Sequence, residues 1–133
     1  MTKYSILNQV HVDVQITNNP YAFEESQLFE MAMRINKKRS FLFISNVLGK
    51  HIALPPQIPL LLGQLLAMRY MDIVHHKADV RAQAVAETIK TRDNLHDSLL
   101  ALEQQPVIAP EPLKVIGFAE TATALGHAFF NAF

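Results

Sequence analysis

Cysteine is absent from the 133-residue sequence, which excludes a disulfide framework, a thiolate metal centre and a cysteine nucleophile. The absence suits a reducing compartment, so the expected location is the cytoplasm. An excess of either charge is missing as well, because twelve basic residues balance twelve acidic ones. Nothing therefore draws the chain to a nucleic-acid backbone or to an anionic membrane, and neither is expected as a partner; an anion would have to be bound locally. No apolar run is long enough to span a bilayer. The stretch from Ile52 to Met68 is interrupted by Pro55, Pro56, Gln57, Pro59, Gly63 and Gln64, and it falls short of the ~20 apolar residues required. The N-terminus alternates polar and apolar residues after Lys3 and so lacks the continuous apolar core of an export signal. Internal repeats, low-complexity tracts and blocks of like charge are also lacking.

What the sequence does contain is an apolar share of 50%, enough to bury a core in a single domain spanning residues 1–133. Val10, Val12, Val14 and Ile16 alternate with His11, Asp13 and Gln15, which predicts a strand with one wet face. Tyr4, Ile6 and Leu7 precede it, and a turn at Asn8 and Gln9 would make an N-terminal β-ribbon. Asn18, Asn19 and Pro20, followed by Glu24 and Glu25, predict a helix start. Leu28, Met31, Ala32 and Ile35 give that helix a buried stripe, and Lys37, Lys38 and Arg39 a basic end. Phe41 to Ile44 is a continuous apolar run, the pattern of a strand buried on both faces of a parallel sheet.

Pro55, Pro56 and Pro59 impose an extended connection, after which an interior helix starts at Pro59 and runs through Leu62, Leu65, Leu66, Arg69 and Ile73. From Asp79 a further helical stretch, broken near Asp93, carries Val80, Ala84, Ile89, Leu95, Leu99 and Leu102 as its apolar stripe. Pro106, Pro110 and Pro112 lead into a last strand, Lys114 to Phe118, and a closing helix, Gly126 to Phe133. This order predicts an α/β three-layer fold with a mainly parallel sheet and crossover connections. Two buried strands and a ribbon make a thin, incomplete sheet, and the closing helix would bare Phe129, Phe130 and Phe133. A complementing C-terminal half or a second copy of the chain is expected to finish it.

Chemistry concentrates after the last strand, where Ala119 to Gly126 is a stretch of small residues with one carboxylate and two hydroxyls. Open backbone N–H groups at a helix mouth, with Thr121 and Thr123 beside them, suit a phosphate. Glu120 suits sugar hydroxyls, or a magnesium ion that arrives with the ligand. The same residues also fit a Thr-capped helix with Glu120 solvated at its positive end. A second phosphate-capable loop follows Phe41 to Ile44 and contains Ser45, Asn46 and Gly49. The six histidines do not form a metal set: His75 and His76 are adjacent, so on a helix they point about 100° apart. No catalytic nucleophile is assigned.

The blocks "GFAETATALGHA" and "NPYAFEESQLFEMAMRINKKRSFLFISNVLGKHI" together resemble the phosphoribosyltransferase-like proteins of tellurite-resistance and stress-response gene clusters, a branch of the type I phosphoribosyltransferase fold. The resemblance implies that the chain is the N-terminal part of such a domain, binding phosphoribosyl pyrophosphate with Mg2+ and transferring phosphoribosyl to an unknown acceptor. It implies a ribose-phosphate site at Glu120, Thr121, Ala122, Thr123 and Gly126, with Glu120 on the ribose hydroxyls. It implies a pyrophosphate site at Ser45, Asn46, Gly49 and Lys50. Ala119 stands where the better-known enzymes place a first acidic residue, and Asn46 and Ala124 stand where close relatives tend to show lysine and glycine. Those departures favour the alternative reading, a non-catalytic ligand-sensing or interaction module.

Overall fold

The computed structural model describes residues 1–36, 38–118 and 121–133. Lys37, Ala119 and Glu120 lie outside the described residues, as does the side chain of Thr121. Over the described residues the chain is mixed α/β, with two small antiparallel sheets and five helices, and it divides into two compact units, Met1–Ala53 and Leu54–Phe133.

In the first unit, β1 (Thr2–Ile6) and β2 (Val10–Val14) pair antiparallel, from Thr2 opposite Val14 to Ile6 opposite Val10. The ribbon expected from the valine alternation is thus present, with its turn one residue earlier than predicted. Leu7 and Asn8 both adopt positive φ, 50° and 56°, and the Gln9 amide donates to the Ile6 carbonyl at 3.1 Å. This mirror-image turn matches the twist of the flanking strands, although Leu7 fills a place that glycine or asparagine takes at lower cost.

The helix predicted from Glu24 to Ile35 is a single turn, α1 (Glu25–Leu28), followed by a strand, β3 (Phe29–Met33). The competing signal is the alternation of Phe29, Met31 and Met33, which a nearby partner strand satisfies. That partner is β4 (Phe41–Ser45), paired antiparallel with Phe29 opposite Ser45 and Met33 opposite Phe41. Asn36 shapes the connection, its side-chain oxygen accepting from the amides of Lys38 at 2.8 Å and Arg39 at 3.3 Å. A two-stranded ribbon cannot cover both faces of β4, so Phe43 is 42% exposed, and the expected burial in a parallel sheet is replaced by this pairing. Parallel pairing is not seen among the described residues. Edge-to-face contacts of Phe43 with Phe29 and Phe41, at 5.1 and 5.8 Å between ring centres, hold this face together. Glu25 joins α1 to the hairpin by accepting from the hydroxyls of Thr2 and Tyr4, each at 2.8 Å.

The second unit is built on α2 (Gln57–His75), against which α3 (Ala82–Thr91), α4 (Leu95–Glu103) and α5 (Thr121–Phe130) pack. Helix α2 begins two residues before Pro59; a proline in the first turn removes only an N–H that has no helical partner. Ile58, Leu61, Leu65 and Met68 recur on its inner face and are all buried. The break between α3 and α4 falls at Arg92 and Asn94, both at positive φ, close to the predicted position. The stripe of α3 differs from the prediction: Ala82, Val85, Ala86 and Ile89 are buried, whereas Val80 is 96% exposed and Ala84 is exposed. Val80 precedes the helix, where the guanidinium of Arg81 folds back onto both oxygens of Asp79 and donates to the Gln105 carbonyl.

Two expectations at the end of the chain change. Lys114 to Phe118 is not a strand; Ile116 and Phe118 are 89% and 87% exposed, because a β-prone run forms a strand only beside another, and this one lies along a helix. The closing helix starts at Thr121, five residues before Gly126, as the alanines and Leu125 favour. It is also better covered than expected. Ala128 and Ala132 are buried, and Phe129 and Phe133 pack edge-to-face with Tyr70 of α2 at 5.9 and 6.3 Å. Phe130 stays 58% exposed.

Hydrogen bonding from Arg81 holds the Asp79 carboxyl below the usual aspartate range. A depressed carboxyl stabilises the fold above its unfolded pKa, near ~3.9, and that contribution is lost as pH falls through the folded value. Asp79→Asn should therefore lower the urea midpoint at neutral pH, and the difference from the parent chain should shrink at pH values below about 4.

Candidate functional site

A concavity of the second unit lies along α5, between that helix and the extended segment from Leu113 to Gly117, with a volume of about 610 Å³. Two glycines set its shape. A Cβ at Gly117 would come within 3.4 Å of the Ala122 carbonyl oxygen, and one at Gly126 within 3.9 Å of the Val115 side chain. Segment and helix therefore meet backbone to backbone at one end of the cavity. Ala122, Thr123 and Gly126 line its wall, three of the residues expected to hold a ribose phosphate. Thr121 supplies the first turn of the helix, and Glu120 lies outside the described residues.

Three lining residues carry polar groups that the sequence reading missed: Lys114, His127 and Asn131. Their signal was present in the sequence, since Thr123, His127 and Asn131 recur every fourth residue and form one stripe along a helix. No carboxylate is among the described residues lining the cavity. The N-terminal half of α5 contributes the positive end of its dipole on the Thr123 side. The arrangement offers a hydroxyl, an ammonium group, an imidazole and an amide to an anionic, hydroxyl-bearing ligand. Elsewhere among the described residues, no three His, Asp or Glu side chains gather as a metal-ligand set, and no helix is long and apolar enough to cross a membrane.

The model of the phosphoribosyl transferase family matches residues 28–133. The chain belongs to the phosphoribosyl transferase family. No curated protein and no solved structure gives a significant match. The family stretch takes in β3, β4 and every element of the second unit, so both candidate loops fall inside it, whereas the β1–β2 ribbon falls outside.

The second candidate loop, Ser45 to Lys50, lies in the first unit at the end of β4. The Ser45 hydroxyl is turned inward and accepts from the amides of Val47 and Leu48, each at 3.2 Å. The Asn46 side chain donates to the Ser26 carbonyl at 2.7 Å, and its amide to Leu28 at 2.9 Å. Gly49 takes a φ of +66°, a conformation that favours glycine. Lys50 is exposed. Two amides that could face a phosphate are thus already bonded, and an anion would have to displace the Ser45 hydroxyl to reach them. Ser45→Ala should release both amides, seen as faster hydrogen exchange at Val47 and Leu48 and a loss of stability of about 1 kcal/mol.

Proposed function

We propose that this phosphoribosyl transferase family member binds phosphoribosyl pyrophosphate at the α5 cavity and transfers the phosphoribosyl group to an acceptor. The observation that carries the reading is the cavity itself, in which Thr123 of the first turn of α5 and Gly126 of its middle turn stand beside an exposed lysine and histidine. A sugar phosphate fits that set: the phosphate takes the Thr123 hydroxyl and the positive end of the helix, and Glu120 takes the ribose hydroxyls. Magnesium would enter chelated by the diphosphate and lessen its charge.

In the transfer, the bond from ribose C1 to pyrophosphate breaks with its electron pair leaving on the pyrophosphate oxygen, and a nucleophilic atom of the acceptor bonds to C1. The protein's share would be positioning and electrostatic support for the leaving group. The two sequence blocks support placing the chain in the tellurite-resistance and stress-response branch, acting in the cytoplasm.

A second reading, a non-catalytic sensor or interaction module, is favoured by one observation: the Val47 and Leu48 amides are occupied by Ser45. Calorimetric titration with phosphoribosyl pyrophosphate and magnesium separates these readings. An enzyme or a sensor binds, a pure interaction module does not, and release of pyrophosphate in the presence of candidate acceptors marks the enzyme. Glu120→Ala and Thr123→Ala should each weaken binding by about tenfold, equivalent to ~1.4 kcal/mol, with unchanged thermal melts. Unchanged affinity in both variants would reject the assigned site.

A further inference from the structure

Helix α5 is clamped between two neighbours, and one of them allows no slack. A Cβ placed on Gly63 of α2 would lie 2.6 Å from the Ala128 carbonyl oxygen and closer still to the carbonyl carbon. Real side chains do not come so near, so a methyl group at position 63 forces one helix away from the other. Alanine is the better helix former, so glycine here serves the approach of the two backbones. The crossing is apolar and buried. Leu61, Ala67 and Met68 beside it are buried, as are Ala128 and Ala132 across it.

The residues of α5 that meet α2 and those that line the cavity occupy adjoining faces of the same two and a half turns. Ala128 and Phe129 face α2, whereas Thr123, Gly126 and His127 line the cavity. On the far side, the segment from Leu113 to Gly117 closes the cavity, and its lead-in is tied to the end of α5 by the Val107 amide, which donates to the Ala132 carbonyl at 2.7 Å. The depth at which α5 beds on α2 therefore fixes how far its cavity face stands from that segment. A helix is stiff over this length, so displacement at Ala128 carries Thr123 and Gly126 with it.

We propose that Gly63 is a positioning residue of the sugar-phosphate site: it touches no ligand, and through Ala128 it sets the width of the cavity along α5. The proposal rests on the ligand reading given above for its binding readout alone. The test uses the full chain, labelled for backbone amide resonances and titrated with phosphoribosyl pyrophosphate and magnesium. In Gly63→Ala, the amide resonances of Thr123, Gly126 and His127 should move together, and affinity should fall by about tenfold or more. A lowered melting temperature with cavity resonances and affinity unchanged would show that Gly63 serves packing alone, and would overturn the proposal. If Gly63→Ala does not fold, Ala128→Ser adds a single atom at the same crossing and should give the same shifts to a smaller degree; its failure to move those resonances counts equally against the idea. A parent chain that binds no phosphoribosyl pyrophosphate removes the ligand reading, while the resonance shifts still decide the role of Gly63.

Discussion

The approach of α2 and α5 at Gly63 and Ala128 is the constraint on which the second unit depends. An apolar helix end carrying three phenylalanines has little to recommend it in water, and it is held because one residue of α2 lacks a side chain at the crossing. Once α5 is bedded there, Tyr70 gathers Phe129 and Phe133 around itself, and the following turn reaches back to the Val107 amide. The cavity is the remainder of this arrangement, the space left where the segment from Leu113 to Gly117 passes over the adjoining face of the helix.

Parts of this design were legible from residue pattern. The Val10, Val12 and Val14 alternation marked its strand, and the long apolar run after Pro59 marked α2, because both signals are local and strong. The segment from Glu24 to Ile35 was misread because it satisfies two periods. Leu28, Met31, Ala32 and Ile35 keep helical spacing, while Phe29, Met31 and Met33 keep strand spacing, and only the pairing with Phe41–Ser45 decides between them. Lys114 to Phe118 failed for the complementary reason. Its composition is that of a strand, but strand structure is a property of a pair of segments.

The site was partly readable for similar reasons. Thr123 and Gly126 stood out through their small neighbours, whereas His127 and Asn131 were missed because the predicted helix began only at Gly126, which left Thr123 in a loop and broke the polar stripe the three form. Gly63 was read as an interruption in an apolar run. Its role depends on Ala128, which is remote in sequence. Gln64 beside it was also read as an interruption, yet it is buried, since a tightly crossed helix has few outward positions in its middle turns.

The exposed run from Val115 to Phe118 also bears on how the protein behaves when concentrated or heated. Ile116 and Phe118 are bare to solvent, the backbone around them lies outside any ladder, and Lys114 is the nearest charge guarding the run. Such a window is a template for intermolecular cross-β pairing. Loss of native material on warming should accordingly steepen with protein concentration, and its apparent midpoint should depend on heating rate, making its durability a matter of kinetics as well as of equilibrium.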